Sequence, residues 1–542
     1  LTFSQYPPLS AQVDTRIGLI TGDNNRYIRN WAEVSFMRVG IGFDRASAAE
    51  SGKKWFPQSK GGEYRKWYGN HETLLDWSRD GHELQTRLHS SGDRTLAHNF
   101  NLDKVFLGAA TWTKISTGPI SARIQPKGFL FNDASANAFP TGNISELSVV
   151  GLLCSKVTEC LLPLINPTLN YLPGTIGALP VALSLDKESS AEKRAAKLID
   201  IAKSDWDAYE TSWDFSGLPL LLRDYRAETL EATYTGLRTH WQDMTNEMQR
   251  LEQENNRIFI EAYGLQDELS PEVPLEEITL TCNPAYRYGV KGSEEDRETR
   301  LRADTTAELI SYAVGCMFGR YALEEPGLIL ANQGETIEDY LKRVPEPSFP
   351  ADDDNVIPML DGDWFTDDIT ERFREFLRIA FGEEHYGENL RFVEQALGKD
   401  IRKYFLKDFY NDHVRRYKKR PIYWLFSSPK GSFNALIYMH RYQPHTVGTV
   451  LEYLRDFKDE KLKARKNHLE AVSISAGASQ GDKTKALKEI EKINKILAEL
   501  DDYERDVLYP LATEQVEIDL DDGVKANYPK FGEALKKIPG LS

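Results

Sequence analysis

Cysteine is scarce. Four residues in 542 (Cys154, Cys160, Cys282 and Cys316) are too few for a disulfide-dense secreted domain, and no pair stands at the CxxC spacing of a structural zinc site. Long apolar runs are missing too. The stretch around Leu161–Leu172 is broken by Pro and Asn and falls short of the ~20 residues that span a bilayer, which excludes a membrane-spanning chain at this level of reading. No basic segment runs into an apolar one as in a signal peptide, so a reducing, cytoplasmic setting is expected. HExxH, the Walker A loop, GxGxxG and His/Cys metal clusters are absent from the sequence. Gly477–Gly481 matches GxSxG in letters alone, because helical sequence precedes Ser479 where a nucleophile elbow needs a strand.

Aromatic residues are plentiful. Ten Trp, 25 Tyr and 24 Phe, with 41% hydrophobic residues, provide more apolar surface than a disordered chain carries. A length of 542 residues exceeds one ordinary domain and suggests three or four. Acids outnumber bases, 83 to 67, for a net charge of −16 that would repel a polyanion if spread evenly. It is not spread evenly. Residues 351–371 hold eight acids and no base, residues 51–70 five bases and one acid, and residues 401–420 eight bases and two acids. Local fields decide where a polyanion can sit.

Texture divides the chain into three zones, and the expected fold class is α/β plus α. Residues 1–185 alternate short apolar stretches with turn signals such as Thr21-Gly22-Asp23-Asn24, as in a mixed, strand-containing domain. Residues 186–268 read as helical. Leu230, Tyr234, Leu237, Trp241, Met244, Met248 and Leu251 recur in steps of three and four, which predicts a long strut helix closed by Gly264. Residues 269–542 read as a mainly helical domain. The acidic, Pro-containing Val344–Asp363 resembles a linker, and the apolar stripe Leu487, Ile490, Ile493, Leu497, Leu500 and Tyr503 predicts one arm of an antiparallel helical hairpin.

The residue types that bind nucleic acid fall in three places. Trp55–Asn70 interleaves Lys60, Arg65 and Lys66 with aromatic residues around Gly61 and Gly62, and Tyr64, Trp67 and Tyr68 are expected to brace that loop. Trp112–Arg123 offers Lys114, Ser116, Thr117, Ser121 and Arg123. Arg415, Arg416, Lys418 and Arg420 form the densest basic cluster. Asn283-Pro284-Ala285-Tyr286 approximates the [DN]-P-P-[YF] loop of amino-methyltransferases. It lacks the second Pro, and no Gly-rich cofactor turn precedes it, so a structural role is expected.

Several strings together resemble a known family. Gly18–Tyr27, Lys60–Asn70, Asn255–Leu265, Asn283–Gly289, Ser311–Arg320, Arg420–Gly431 and Leu520–Tyr528, in this order, are similar to the specificity region and C-terminal part of the PglX family, adenine-specific DNA methyltransferases of BREX phage-defence systems. Type IIG restriction–methylation enzymes share parts of the pattern. The resemblance implies a target-recognition domain (1–185), a helical spacer with the strut (186–268) and a helical C-terminal domain (269–542). It implies no catalytic residue, cofactor-binding residue or metal ligand in this chain. S-adenosylmethionine is expected in an N-terminal methylase domain outside it, in keeping with the start at Leu1 without Met. Expected partners are double-stranded DNA, that methylase domain and other BREX proteins. Expected DNA contacts are Arg26, Lys60, Arg65, Lys66, Lys114 and Arg123, with Arg415, Arg416, Lys418 and Arg420 as clamps. The competing expectation is a non-catalytic helical scaffold that docks other defence proteins, or the specificity part of a type IIG enzyme.

Overall fold

A computed structural model describes residues 5–166 and 168–541. The chain divides into two compact units. The first comprises Leu1–Trp31, Phe36–Phe215 and Tyr234–Leu301; the second comprises Ala32–Ser35, Ser216–Thr233 and Arg302–Ser542.

The first unit contains two four-stranded sheets. One has the order β1-β8-β5-β6, from β1 (Val13–Ile17), β5 (Ala109–Thr113), β6 (Ala122–Gln125) and β8 (Ser135–Pro140), and is antiparallel throughout. The other has the order β2-β4-β3-β7, from β2 (Ile28–Asn30), β3 (Trp55–Ser59), β4 (Thr73–Asp76) and β7 (Leu130–Phe131), with β7 parallel to β3. Helix Glu146–Leu153 packs on the first sheet, and every residue from Ser148 to Leu153 is buried. A helix apolar on all sides must lie inside. Asn255 donates its side-chain amide to the Gly151 carbonyl at 2.9 Å and so ties that helix to the long one.

The expected strut is the helix Leu230–Tyr263, 34 residues and ~51 Å long. Its C-terminus is as expected: Gly264 has φ +67°, and the Leu265 amide bonds the Ile260 carbonyl at 3.0 Å. It is not, however, a free-standing strut. Leu237, Trp241, Met248, Leu251, Phe259 and Ile260 are all buried, so its seam is a wall of the first unit's core.

The second unit is mainly helical, with one element the helical reading missed. Strands β10 (Tyr423–Ser427) and β11 (Asn434–Tyr438) form an antiparallel hairpin buried at all ten strand positions but half-exposed at none, with β9 (Ile357–Pro358) on its edge. The presumed linker Val344–Asp363 supplies β9 and buries Phe349, Val356, Ile357, Met359 and Leu360, so it is core and not tether. The helical hairpin is present. Helices Lys463–Ile474 and Gln480–Tyr503 run antiparallel, with Arg465 on Glu489 at 2.8 Å and, further along, Arg455 on Glu504 at 2.7 Å. Ser479 accepts the Asp482 amide as a helix N-cap, which accounts for its place in the GxSxG string. Among the described residues no single helix is long and apolar enough to cross a membrane.

Buried histidines make stability depend on pH; His413 is held well below its ordinary value by burial, and His71 and His440 behave alike. His71 lies against Tyr68, Phe129 and Trp213 in the first unit, and His440 donates from Nε2 to the Val34 carbonyl at 3.2 Å in the second. Burial, reinforced by nearby arginines, pushes each down to about 3 from the ordinary 6.5. The unfolded chain takes up these protons below pH 6.5, whereas the folded chain resists them until about pH 3. Their stability contribution is therefore complete above pH 6.5 and lost as pH falls through that window, at about 1.4 kcal/mol per pH unit for each group. His71→Phe should flatten the fall in denaturation midpoint between pH 6.5 and 4.5. Parallel pH profiles for variant and parent would contradict this assignment.

Candidate nucleic-acid interface

The Lys60–Asn70 loop buries two of its three cations, and the neighbouring Arg123 is buried with them. Arg65 is 5% exposed, Lys66 4% and Arg123 2%. Arg65 donates to Asp205 at 2.6 Å, to the Thr281 hydroxyl at 3.0 Å and to the Tyr68 carbonyl at 3.1 Å, and its guanidinium lies over Trp206. The Lys66 ammonium is paired with the Glu252 carboxylate, which also accepts from the Trp67 indole at 2.8 Å. Burial alone would lower the Lys66 pKa, but Glu252 more than reverses this and holds it above its ordinary value. Arg123 donates to the Arg65 carbonyl at 3.1 Å and the Thr113 hydroxyl at 3.3 Å, and burial lowers it to about 10. These three side chains are spent inside the first unit, so the expected phosphate contacts by Arg65, Lys66 and Arg123 are withdrawn. A buried charge is tolerated only when paired and hydrogen-bonded, and here the pairing is with protein.

The aromatic residues of that loop do brace it. Trp67 is fully buried at φ +72°, its amide bonding the Ala122 carbonyl at 2.8 Å, and the Tyr286 hydroxyl donates to the Tyr64 carbonyl at 2.5 Å. Tyr286 belongs to the methylase-like string, whose Asn283 caps helix Pro284–Tyr288 and gives its amide to the Leu275 and Ile278 carbonyls. An amide so engaged in the interior cannot receive a flipped base, and these residues do not fit an S-adenosylmethionine or adenine site.

Lys60 and Lys114 come together at the far ends of β3 and β5. Lys114 lies 3.8 Å from Asp133, the Thr113 hydroxyl bonds the Gly62 carbonyl at 3.3 Å, and Gly61 (φ +74°) is pressed against the Ala134 carbonyl. Thr117 is exposed and Ser116 half-buried nearby, whereas Ser121 is buried. The packing leaves no room for phosphate beside the Gly61 backbone.

The opposite end of the β2-β4-β3-β7 sheet carries Arg26, one of the expected contacts, together with lysines that the sequence reading did not single out. Register places Arg26 just before β2, Lys53 and Lys54 before β3, and exposed Lys127 before the parallel β7. Among these, Arg26 pairs with Glu83 at 2.7 Å and Lys54 lies 3.8 Å from Asp76, while Lys53 meets the Met37 carbonyl. The doublet Lys53-Lys54 ahead of a fully buried strand was the available signal. Strand ends, more than loop composition, decide which members of a basic run face water.

In the second unit, Arg415 and Arg416 end helix Tyr410–Arg416, and Lys418 and Lys419 follow in the left-handed region. Cations here complement the negative end of the helix dipole. Arg415 is exposed and pairs with Asp412 at 2.8 Å, Lys418 is exposed, and Arg420 meets Glu33 at 3.1 Å.

No family model matches the chain. A protein named adenine-specific methyltransferase BrxX, from Escherichia coli O9:H4 (strain HS), is 36% identical over 542 residues, covering 96% of this chain and 42% of its own length. One named adenine-specific methyltransferase PglX, from Lacticaseibacillus casei (strain Zhang), is 35% identical over 561 residues, covering 100% of this chain and 44% of its own. The resemblance read from the residue strings thus extends over nearly the whole chain, which spans about two fifths of the length of these relatives.

Lys66→Met should lower folding stability by about 3–5 kcal/mol, because it leaves Glu252 charged and unmatched in the interior. A denaturant titration measures the loss. Unchanged stability with weakened DNA binding would restore Lys66 as a direct contact.

Proposed function

We propose that this chain is the DNA-recognition portion of an adenine-specific DNA methyltransferase acting in BREX-type phage defence in the cytoplasm. The observation that carries the reading is the similarity at 35–36% identity, over nearly all of the chain, to proteins named adenine-specific methyltransferases. The absence of a methyl-donor loop from the sequence favours recognition over chemistry for these 542 residues. Positioning on duplex DNA falls to cations that are exposed or half-buried: Arg26 and the lysines at the same sheet end in the first unit, Lys60 and Lys114 at the other, and Arg415, Arg416, Lys418 and Arg420 in the second. Side chains on neighbouring loops read base edges in the major groove. A methylase domain outside this chain holds S-adenosylmethionine, flips the adenine and methylates it.

The test is a salt titration of the chain on duplex DNA. Several phosphate contacts give an affinity that falls steeply with salt, log K changing by about 0.9 per log unit of salt for each phosphate neutralised. Calorimetry with S-adenosylmethionine should give no heat of binding. Failure to retain DNA at any salt would remove the recognition role and favour a protein-docking scaffold; cofactor binding at micromolar concentration would move the methyl-donor site into this chain.

A further inference from the structure

Helix Ser78–Thr86 begins with a distortion that ordinary helix sterics disfavour. Arg79 (φ 50°, ψ 51°), Asp80 (φ 56°, ψ 37°) and Gly81 (φ 70°, ψ 24°) form consecutive left-handed residues, and two of them carry a Cβ. Left-handed α conformation is unfavourable for L-residues and is rarely adopted in runs. It persists where surrounding contacts over-determine it, and such sites cluster where function requires a fixed geometry.

The contacts here are specific. The Asp80 carboxylate takes two bonds from Arg45, at 2.9 and 2.7 Å, and a third from the Trp77 indole at 3.1 Å. Gln85 donates its amide to the Asp80 carbonyl at 2.5 Å, and the Gly81 amide bonds the Trp77 carbonyl at 3.1 Å. A Cβ at Gly81 would lie 2.8 Å from the Trp77 ring, so that ring fixes the turn from beneath. Every residue of the turn is anchored except the side chain of Arg79, which is exposed and makes no ion pair or hydrogen bond that the structure records among the described residues.

The turn follows β4, and its position in the sheet gives it neighbours. Across the order β2-β4-β3-β7, the same end carries Arg26, then Arg79, then Lys53 and Lys54, then Lys127. With strands ~4.8 Å apart, this is a row of cations ~14 Å across. Four acids at this end are engaged by cations: Asp80 by Arg45, Glu83 by Arg26, Asp76 near Lys54 and Asp23 by Arg87 at 3.2 Å. Asp44 caps the neighbouring helix Arg45–Glu50 and Glu50 is exposed at its end, so Arg79, Lys53 and Lys127 are the members of the row with no acid partner recorded among the described residues. A guanidinium carried on a fixed backbone within such a row suits the regular phosphates of a DNA backbone, to which arginine donates in bidentate fashion.

Resting on the DNA-recognition reading, we propose that this sheet end is the face that meets duplex DNA, and that Arg79 is a pre-positioned backbone-phosphate contact held out by the left-handed turn. The decisive variant is Arg79→Gly, because glycine adopts the left-handed turn freely and so removes the cation without adding strain. Thermal stability should be unchanged or raised. DNA affinity at moderate salt should fall about ten-fold for every sequence tested, and the salt slope should become shallower by about one. Arg79→Lys should recover part of the affinity. If Arg79→Gly keeps the parent's affinity and slope, the contact is refuted while DNA recognition by the chain stands. A loss confined to one DNA sequence would also overturn it in favour of base reading. If the parent chain itself shows no DNA binding, the recognition reading and this contact fall together.

Discussion

Two buried ion pairs, Arg65 with Asp205 and Lys66 with Glu252, set the form of the first unit. Adjacent cations on one loop reach carboxylates on two helices, Ser190–Asp207 and Leu230–Tyr263. Asp205 also accepts the Thr281 and Cys282 amides at 2.7 and 2.9 Å, which adds a third segment to the same charge. Removing four charges from water is costly, and the cost is offset only when each remaining lone pair and proton finds a partner. That requirement admits few arrangements of the loop. It accounts for Trp67 being held at φ +72° with its indole on Glu252, and for Arg123 being enclosed beneath it. Such pairs add little net stability but penalise alternative packings heavily, a specifying role proposed for these two.

The same pairs change what the basic run can do. Counted along the chain, residues 51–70 are a cluster of five bases. In the fold they separate: Arg65 and Lys66 are neutralised inside, Lys60 lies at one end of β3, and Lys53 and Lys54 lie at the other. A window sum treats these as one field, but the field at the surface comes from side chains that stay in water. An acidic protein can thus hold a local cationic edge, provided its acids there are matched by cations of their own.

What the sequence made legible follows from periodicity and local chemistry. The long helix, its glycine stop and the apolar stripe of the hairpin's second arm are encoded within a few residues, and each was readable. The presence of both strands and helices in residues 1–185 was readable from turn spacing, but not the pairing of β3 with distant β7. The hairpin β10–β11 was missed because Tyr423–Ser427 and Asn434–Tyr438 are buried on both faces and so lose the alternation that marks a half-exposed strand. Val344–Asp363 was misread because three consecutive acids, Asp352–Asp354, mask the apolar residues on either side. The candidate site was the least legible part. Whether a cation pairs internally depends on an acid about 140 or 186 residues away, as for Arg65 and Lys66, and no local pattern encodes that distance.

Left-handed backbone at non-glycine residues occurs in pairs at two basic sites, and the contrast between them is informative. Lys418 (φ 51°) and Lys419 (φ 61°) follow a helix C-terminus, where left-handed residues commonly close the last turn and bond its free carbonyls. The Lys419 amide does this, reaching the Val414 carbonyl at 2.8 Å. Helix termination is a sufficient cause there. Arg79 and Asp80 lie at the start of a helix, where no free carbonyl needs capping and an ordinary N-cap would serve with less strain. The Arg45–Asp80 clamp and the Trp77 platform hold a conformation that helix initiation does not require. Strain without a structural cause, maintained by a charged clamp, is the reason to look for its purpose in the side chain it displays.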